Sequence, residues 1–159
     1  TASVCQKKNV KVILKPSGIN KIGGDLLKKI TYFVPNKKEL HLLMPGNETI
    51  EEKAEKLYDM GIENVIITLG KDGCYLKNAE YARYFPAADF ESIDTTGGAD
   101  AFISALAVYL SENVPLIRAI GFATYSAGIT VTRQGVQPSM PDRIALEMYQ
   151  DMITDAFTE

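Results

Sequence analysis

The chain has 159 residues, 46% of them hydrophobic and 23% charged, which is enough apolar matter for a sizeable core and too much for a disordered tail, so one globular domain over 1–159 is expected. Seventeen Lys plus Arg against twenty Asp plus Glu give a net charge of −3, without the basic excess that nucleic acid or an anionic membrane selects; neither is expected as a partner. No stretch nears the roughly 18 apolar residues of a membrane span, the polar start Thr1 to Asn9 has no signal-peptide core, and Cys5 and Cys74 are too few for a disulfide framework, so a soluble, cytoplasmic protein is expected.

Lys11 to Leu14 and Ile30 to Val34 read as short strands stopped by Lys15-Pro16-Ser17-Gly18 and Pro35-Asn36, with a short helix, Gly24 to Lys29, between them. Thr49 and Glu52 have capping-box spacing. Ile50, Ala54, Leu57 and Tyr58 then share one helix face, and Gly61 stands where the helix should end. Val65 to Leu69 is apolar apart from Thr68, the pattern of a strand covered on both faces in a parallel sheet reached by a βαβ crossover. Gly70 to Gly73 turns into Cys74-Tyr75-Leu76, and Tyr81 to Phe85 supplies another strand before an irregular segment around Asp89.

In the second half, Phe102, Ala105, Leu106, Tyr109 and Leu110 have helical spacing within Ala99 to Leu110. Ile103, Ala107 and Val108 fill the opposite side as well, which predicts a largely buried helix. Pro115 opens another helix to about Val131, with Ala119, Gly121, Ala123, Ala127 and Gly128 permitting close packing. Pro141 opens a terminal amphipathic helix whose face is Ile144, Met148 and Met152. The alternation of strands and helices predicts an α/β fold with a mainly parallel sheet.

Three places invite chemistry. In Asp94-Thr95-Thr96-Gly97-Gly98-Ala99-Asp100 small residues precede a helix, so the backbone can approach a ligand and aim the first-turn N–H groups at a phosphate. Asp100 would repel a phosphate, but it can accept the proton of a hydroxyl attacking phosphorus, with the amides stabilising the charge that develops. A plain tight turn with a first-turn carboxylate, favoured by the helix dipole, is the other reading. Thr68-Leu69-Gly70-Lys71-Asp72-Gly73 follows the apolar strand, where open α/β sheets bind ligands, although hairpin turns also carry two glycines. Asn36 and Glu39, one helical turn apart, could share a hydrated Mg²⁺ or a nucleotide phosphate, or else be an N-cap and a first-turn Glu. No Walker lysine motif is present, which argues against a P-loop NTPase.

Pro35 to Glu39, Ile67 to Gly73, Asp94 to Phe102 and Val131 to Ser139, in that order and spacing, resemble the PfkB family of ribokinase-like sugar kinases from about Val10 to the C-terminal helix. The resemblance implies a three-layer α/β/α fold with a mainly parallel sheet and ATP-dependent phosphoryl transfer to a sugar hydroxyl. It implies Gly97, Gly98 and Ala99 as the anion hole and Asp100 as base, and assigns the nucleotide to Thr68, Gly70, Lys71, Asp72, Gly73 and Thr124. Asn36 and Glu39 become the Mg²⁺ and phosphate motif. Asp94, Thr96, Thr130, Arg133, Gly135 and Ser139 become a site for a monovalent cation such as K⁺, held largely by carbonyls.

One departure stands out: Ala99 occupies a customary glycine, so strain is expected there if its φ must be positive. Family members are roughly twice as long and the chain begins with Thr, so the resemblance implies the C-terminal half, without the N-terminal half and β lid that supply most sugar contacts. The sugar or nucleoside therefore stays open. The half alone is expected to be inactive and to self-associate through exposed strand edge and apolar surface. The alternative is a nucleotide-binding or regulatory remnant without turnover. His41 reads as a surface or partly packed histidine, the five methionines as packing or helix-face residues, and Glu51 to Lys56 as a solvated face with a Glu52–Lys56 pair.

Overall fold

Val65, Ile66 and Ile67 are fully buried in β3 (Asn64–Thr68), the central strand of a five-stranded sheet. The computed structural model describes residues 1–19 and 21–158, which divide into two compact units, Thr1–Phe85 and Pro86–Glu159. The sheet belongs to the first. Its strands β1 (Ile13–Leu14), β2 (Tyr32–Phe33), β3, β4 (Cys74–Lys77) and β5 (Ala82–Phe85) lie side by side in chain order. Ile13 pairs with Tyr32 and Phe33 with Val65, both in parallel, whereas Ile67 pairs with Tyr75 and Tyr75 with Tyr84 in antiparallel. Four of the five strands thus run one way and β4 alone is reversed, because the connection through Gly70–Gly73 is too short for a crossover.

The first two strands are shorter than the apolar runs suggest. Pro16 and Pro35, lacking an N–H, end the ladder soon after each. α2 (Gly24–Leu27) is a single turn between β1 and β2, and the β2–β3 crossover carries α3 (Lys37–Leu43) and α4 (Ile50–Asp59). Leu27, Leu40, Ala54 and Leu57 from these helices meet Phe33, Val65, Ile67 and Tyr75 in one hydrophobic cluster. α4 starts as its sequence predicts: Glu52 N donates to Thr49 Oγ1 at 3.2 Å and Thr49 N to Glu52 Oε2 at 2.8 Å. It ends at Gly61, where φ is +101°.

Its charge run behaves differently from the expectation. Glu52 is occupied by the cap, so Lys56 pairs with Glu48 at 2.7 Å, and Lys53 is buried with its ammonium donating to Gly46 O at 3.1 Å. The face is therefore not wholly solvated. α1 (Ala2–Lys7) has no counterpart in the sequence reading, since none of its residues is buried and no apolar face betrays it. Cys74 is buried and its thiol is pushed up to about 12 by desolvation, in keeping with an inert role, and His41 is exposed.

The second unit is built on α5 (Gly98–Ser111) and α6 (Leu116–Val131), with Tyr109 and Phe122 stacked at 4.0 Å between ring centroids. On α5 the buried side is the predicted one, Phe102, Ala105, Leu106, Tyr109 and Leu110, but Ala107 and Val108 are exposed, so the helix is amphipathic and not buried all round. The small residues of α6 are explained by contact. A Cβ on Gly121 would lie 2.6 Å from Ile153 Cγ2, and one on Gly128 would lie 2.6 Å from Phe90 Cδ2.

The C-terminal expectation fails in two respects. The helix is two pieces, α7 (Arg143–Glu147), capped by Asp142 Oδ1 on Ala145 N, and α8 (Gln150–Ala156), interrupted where Tyr149 packs its ring against Phe90 and Tyr125. The Ile144, Met148 and Met152 series faces outward, at 73%, 81% and 57% exposure, while Leu146, Ile153 and Phe157 are buried. The side that packs is thus the one carrying Leu146 and Ile153. Gly121→Ala is expected to lower unfolding free energy by about 1–3 kcal/mol in a urea titration, whereas Met148→Gln should stay within about 0.5 kcal/mol of the parent.

Candidate functional site

In the first unit, three polar segments lie at the C-terminal ends of neighbouring parallel strands: Lys15 follows β1, Asn36 and Glu39 follow β2, and Thr68, the last residue of β3, leads into Leu69 to Gly73. This is the edge at which open α/β sheets bind ligands. The structure joins the last two directly, for Asn36 bridges Thr68 in parallel and Thr68 N donates to Pro35 O at 2.9 Å. The turn itself is a 3-10 turn, Gly70–Asp72, closed by Leu69 N on Gly73 O at 2.8 Å. Gly70 and Gly73 have φ of +65° and +84°. A Cβ on Gly70 would meet nothing within 4 Å, so this glycine serves the turn's positive φ. Lys71 and Asp72 are exposed beside it.

Asn36 and Glu39 form a reciprocal cap. Glu39 N donates to Asn36 Oδ1 at 2.9 Å, and Asn36 N donates to Glu39 Oε2 at 2.8 Å. The other oxygen, Oε1, accepts from Lys15 Nζ at 2.6 Å, with both side chains mostly buried. Neither oxygen of this carboxylate is left free, and its charge is neutralised.

In the second unit the glycine turn begins α5. Gly97 is the residue before the helix, with φ of +85°, and a Cβ there would lie 3.0 Å from Val136 Cγ1. Gly98 is needed for room, since a Cβ would stand 2.9 Å from Val131 Cγ1. Ala99 lies inside the helix and is not among the residues of positive φ. The strain expected at Ala99 is therefore absent, because the left-handed residue is Gly97. Gly98 N donates to Thr95 O, but the N–H groups of Gly97, Ala99 and Asp100 meet no acceptor among the described residues. The Asp100 carboxylate is exposed and likewise has no hydrogen bond or ion pair among them. Such a turn fits an anion, with first-turn donors and the positive end of the helix dipole together.

The six residues expected at a monovalent cation lie on two segments that the structure holds together. Ile93 N and Asp94 N donate to Val131 O at 2.8 and 3.1 Å, at the end of α6. Asp94 Oδ1 accepts from Thr96 N at 2.9 Å, and hydrogen bonds from Thr96 and from Gly135 N–H hold this carboxyl below its usual range. Arg133 N donates to Thr130 O at 3.3 Å, Gly135 has φ of +90°, and buried Ser139 donates to Gly135 O and Val136 O at 2.6 and 2.7 Å. One charged carboxylate among backbone carbonyls is a donor set suited to a large, weakly hydrated cation. Thr124, on α6, is buried and its Oγ1 has no partner among the described residues, an orphan hydroxyl that a ligand's polar edge would satisfy.

Comparison with known proteins adds the decisive observation: the sequence matches the pfkB family carbohydrate kinase profile over residues 1–143. The chain belongs to this family of carbohydrate kinases. It is 33% identical over 146 residues to a ribokinase of Haemophilus influenzae, covering 89% of this chain and 48% of that protein. Among solved structures, ribokinase from Thermotoga maritima superposes with a TM-score of 0.87 at 35% identity, over 93% of this chain and 52% of that one. Arabidopsis thaliana ribokinase, complexed with ribose and ATP, gives 0.83 at 30% identity, over 94% and 50%. The ribokinase-like α/β fold is thereby shown, and the chain spans about half the length of the curated relatives it matches.

Within this chain, one residue of the candidate site escaped the sequence reading. Lys15 reads in sequence only as turn chemistry, yet its ammonium is the partner of Glu39. Its place at the end of a strand, like Asn36 and Thr68, was the available signal. Gly97→Ala is expected to cost about 1 kcal/mol or more through its left-handed φ. Ala99→Gly should also cost about 0.5–1 kcal/mol, by loosening the first helical turn. Urea midpoints check both, and a stabilising Ala99→Gly would show that Ala99 is strained after all.

Proposed function

We propose that this chain carries the nucleotide-handling and catalytic portion of a kinase that transfers the γ-phosphoryl group of ATP to a sugar hydroxyl. One observation carries the reading: the N–H groups of Gly97, Ala99 and Asp100, and the exposed Asp100 carboxylate beside them, meet no hydrogen-bond or ion-pair partner among the described residues. In this reading Asp100 accepts the proton of the acceptor hydroxyl as its oxygen bonds to phosphorus, the bond to the ADP oxygen breaks, and the amides stabilise charge on the transferring group. Thr68 to Gly73 serve the nucleotide phosphates and Thr124 the adenine. Asp94, Thr96, Thr130, Arg133, Gly135 and Ser139 hold K⁺, whose contribution is to order the segment leading into Gly97. The ribose and ATP bound by the Arabidopsis relative support these classes of substrate. A nucleotide-binding or regulatory remnant without turnover is the second reading.

The discriminating assay presents ATP with ribose, deoxyribose, fructose and nucleosides to the whole protein and to the 159-residue chain. Turnover by the whole protein supports the kinase, and ATP binding with no turnover on any acceptor supports the remnant. Asp100→Asn should slow transfer by about 10²–10⁴-fold with little change in ATP affinity, because the carboxylate is assigned to the acceptor; a nearly normal kcat would remove Asp100 as base. In K⁺, Na⁺ and Tris-only buffers of matched ionic strength, turnover should be highest in K⁺ and ATP affinity nearly constant. Equal rates in all three would remove the cation site and leave the kinase reading standing.

A further inference from the structure

The Asn36–Glu39 pair does not fit a divalent cation as it stands, and the misfit has one identifiable cause. A carboxylate recruits Mg²⁺ with negative charge and an available oxygen. Glu39 Oε2 is engaged by Asn36 N–H at 2.8 Å and Oε1 by Lys15 Nζ at 2.6 Å. Ser17 Oγ lies a further 3.5 Å from Oε1. At 14% and 12% side-chain exposure, Lys15 and Glu39 are poorly reached by solvent, so their attraction is weakly screened. Asn36 Oδ1, the neutral donor of the pair, is likewise engaged, by Glu39 N–H at 2.9 Å.

We propose that Lys15 is a positioning residue that takes the place of a metal charge at Glu39, so that in this chain the Asn36–Glu39 pair is a locked helix cap and does not recruit a divalent ion. The proposal rests on the kinase reading only for the expectation that a metal belongs at this pair. It gives the ammonium two effects. Lys15 ties the end of β1 to the start of α3 across the strand edge, and it repels any divalent cation approaching Glu39. A kinase built this way depends on the nucleotide itself to bring its divalent ion.

Mn²⁺ alone, with no nucleotide, is the probe, and free Mn²⁺ is read by electron paramagnetic resonance during titration of the 159-residue chain. The parent and Glu39→Gln should bind within twofold of each other. Lys15→Met should bind at least about tenfold more tightly, as expected when a unit positive charge is removed a few ångströms from a divalent ion. Lys15→Met/Glu39→Gln should return to the parent value, and Lys15→Arg, which keeps the charge, should stay weak. A roughly tenfold loss on Glu39→Gln in the parent background would overturn the proposal, as would Lys15→Met with unchanged affinity. If Lys15→Met loses its helical circular dichroism, Lys15→Gln takes its place, and the parent against Glu39→Gln comparison needs neither. A separate titration with a fluorescent ATP analogue reads the kinase proposal independently. Absence of nucleotide binding would count against that reading while the Mn²⁺ series still decides the role of Lys15.

Discussion

The close approach of the start of α5 to the end of α6 is the constraint on which the second unit depends. Gly98 brings the two within a distance that no Cβ could share with Val131, and Val131 O receives the N–H groups of both Ile93 and Asp94. Because that carbonyl terminates α6, the segment before α5 is anchored by backbone hydrogen bonds to a rigid helix end. The left-handed Gly97 then redirects the chain into α5, where the N–H groups of Ala99 and Asp100 meet no acceptor among the described residues. A Cβ at 98 would stand 2.9 Å from Val131 Cγ1, so that methyl or the turn before α5 would have to give way. Preorganised donors work only if they are held where charge develops, and here one glycine supplies the room and its neighbour the turn.

The first unit reaches comparable order by satisfying its polar groups internally. Three parallel strands end side by side, each followed by a polar segment, and Asn36, Glu39 and Lys15 spend their hydrogen bonds on one another. Such an arrangement avoids the cost of an unpaired, poorly solvated carboxylate. The Gly70–Asp72 turn differs, since its glycines answer to backbone conformation and the space at Gly70 is open.

Much of this was legible in the sequence because it is local. The Thr49–Glu52 box, the buried β3, the span of α6 and the glycine turn before α5 each follow from spacing within a few residues. What was hidden depends on partners distant in sequence. Lys15 is 24 positions from Glu39, and nothing near it in the chain signals an ion pair. Lys56 has an eligible Glu at i−4, but the cap claims Glu52 and the lysine turns to Glu48. Ile144, Met148 and Met152 have helical spacing and yet face outward, because the side that packs is the one carrying Leu146 and Ile153. The residues proposed for the nucleotide and the cation came as a set through family resemblance, since carbonyl ligands leave little trace in side-chain identity.

Ala99 shows how a departure from a family pattern should be weighed. An alanine in a glycine signature matters only if the backbone there needs positive φ or the space of a missing Cβ. Neither condition holds at 99, where the residue is an ordinary helical one, while Gly97 meets the first and Gly98 the second. The donor N–H of residue 99 belongs to the backbone and is the same for alanine as for glycine. Alanine also stiffens the first turn relative to glycine, which favours a fixed orientation of the Asp100 carboxylate one residue on. The substitution at 99 is therefore compatible with the chemistry of the turn. The lysine at 15 has more chemical consequence, because it brings a positive charge to a carboxylate the family resemblance assigns to a metal.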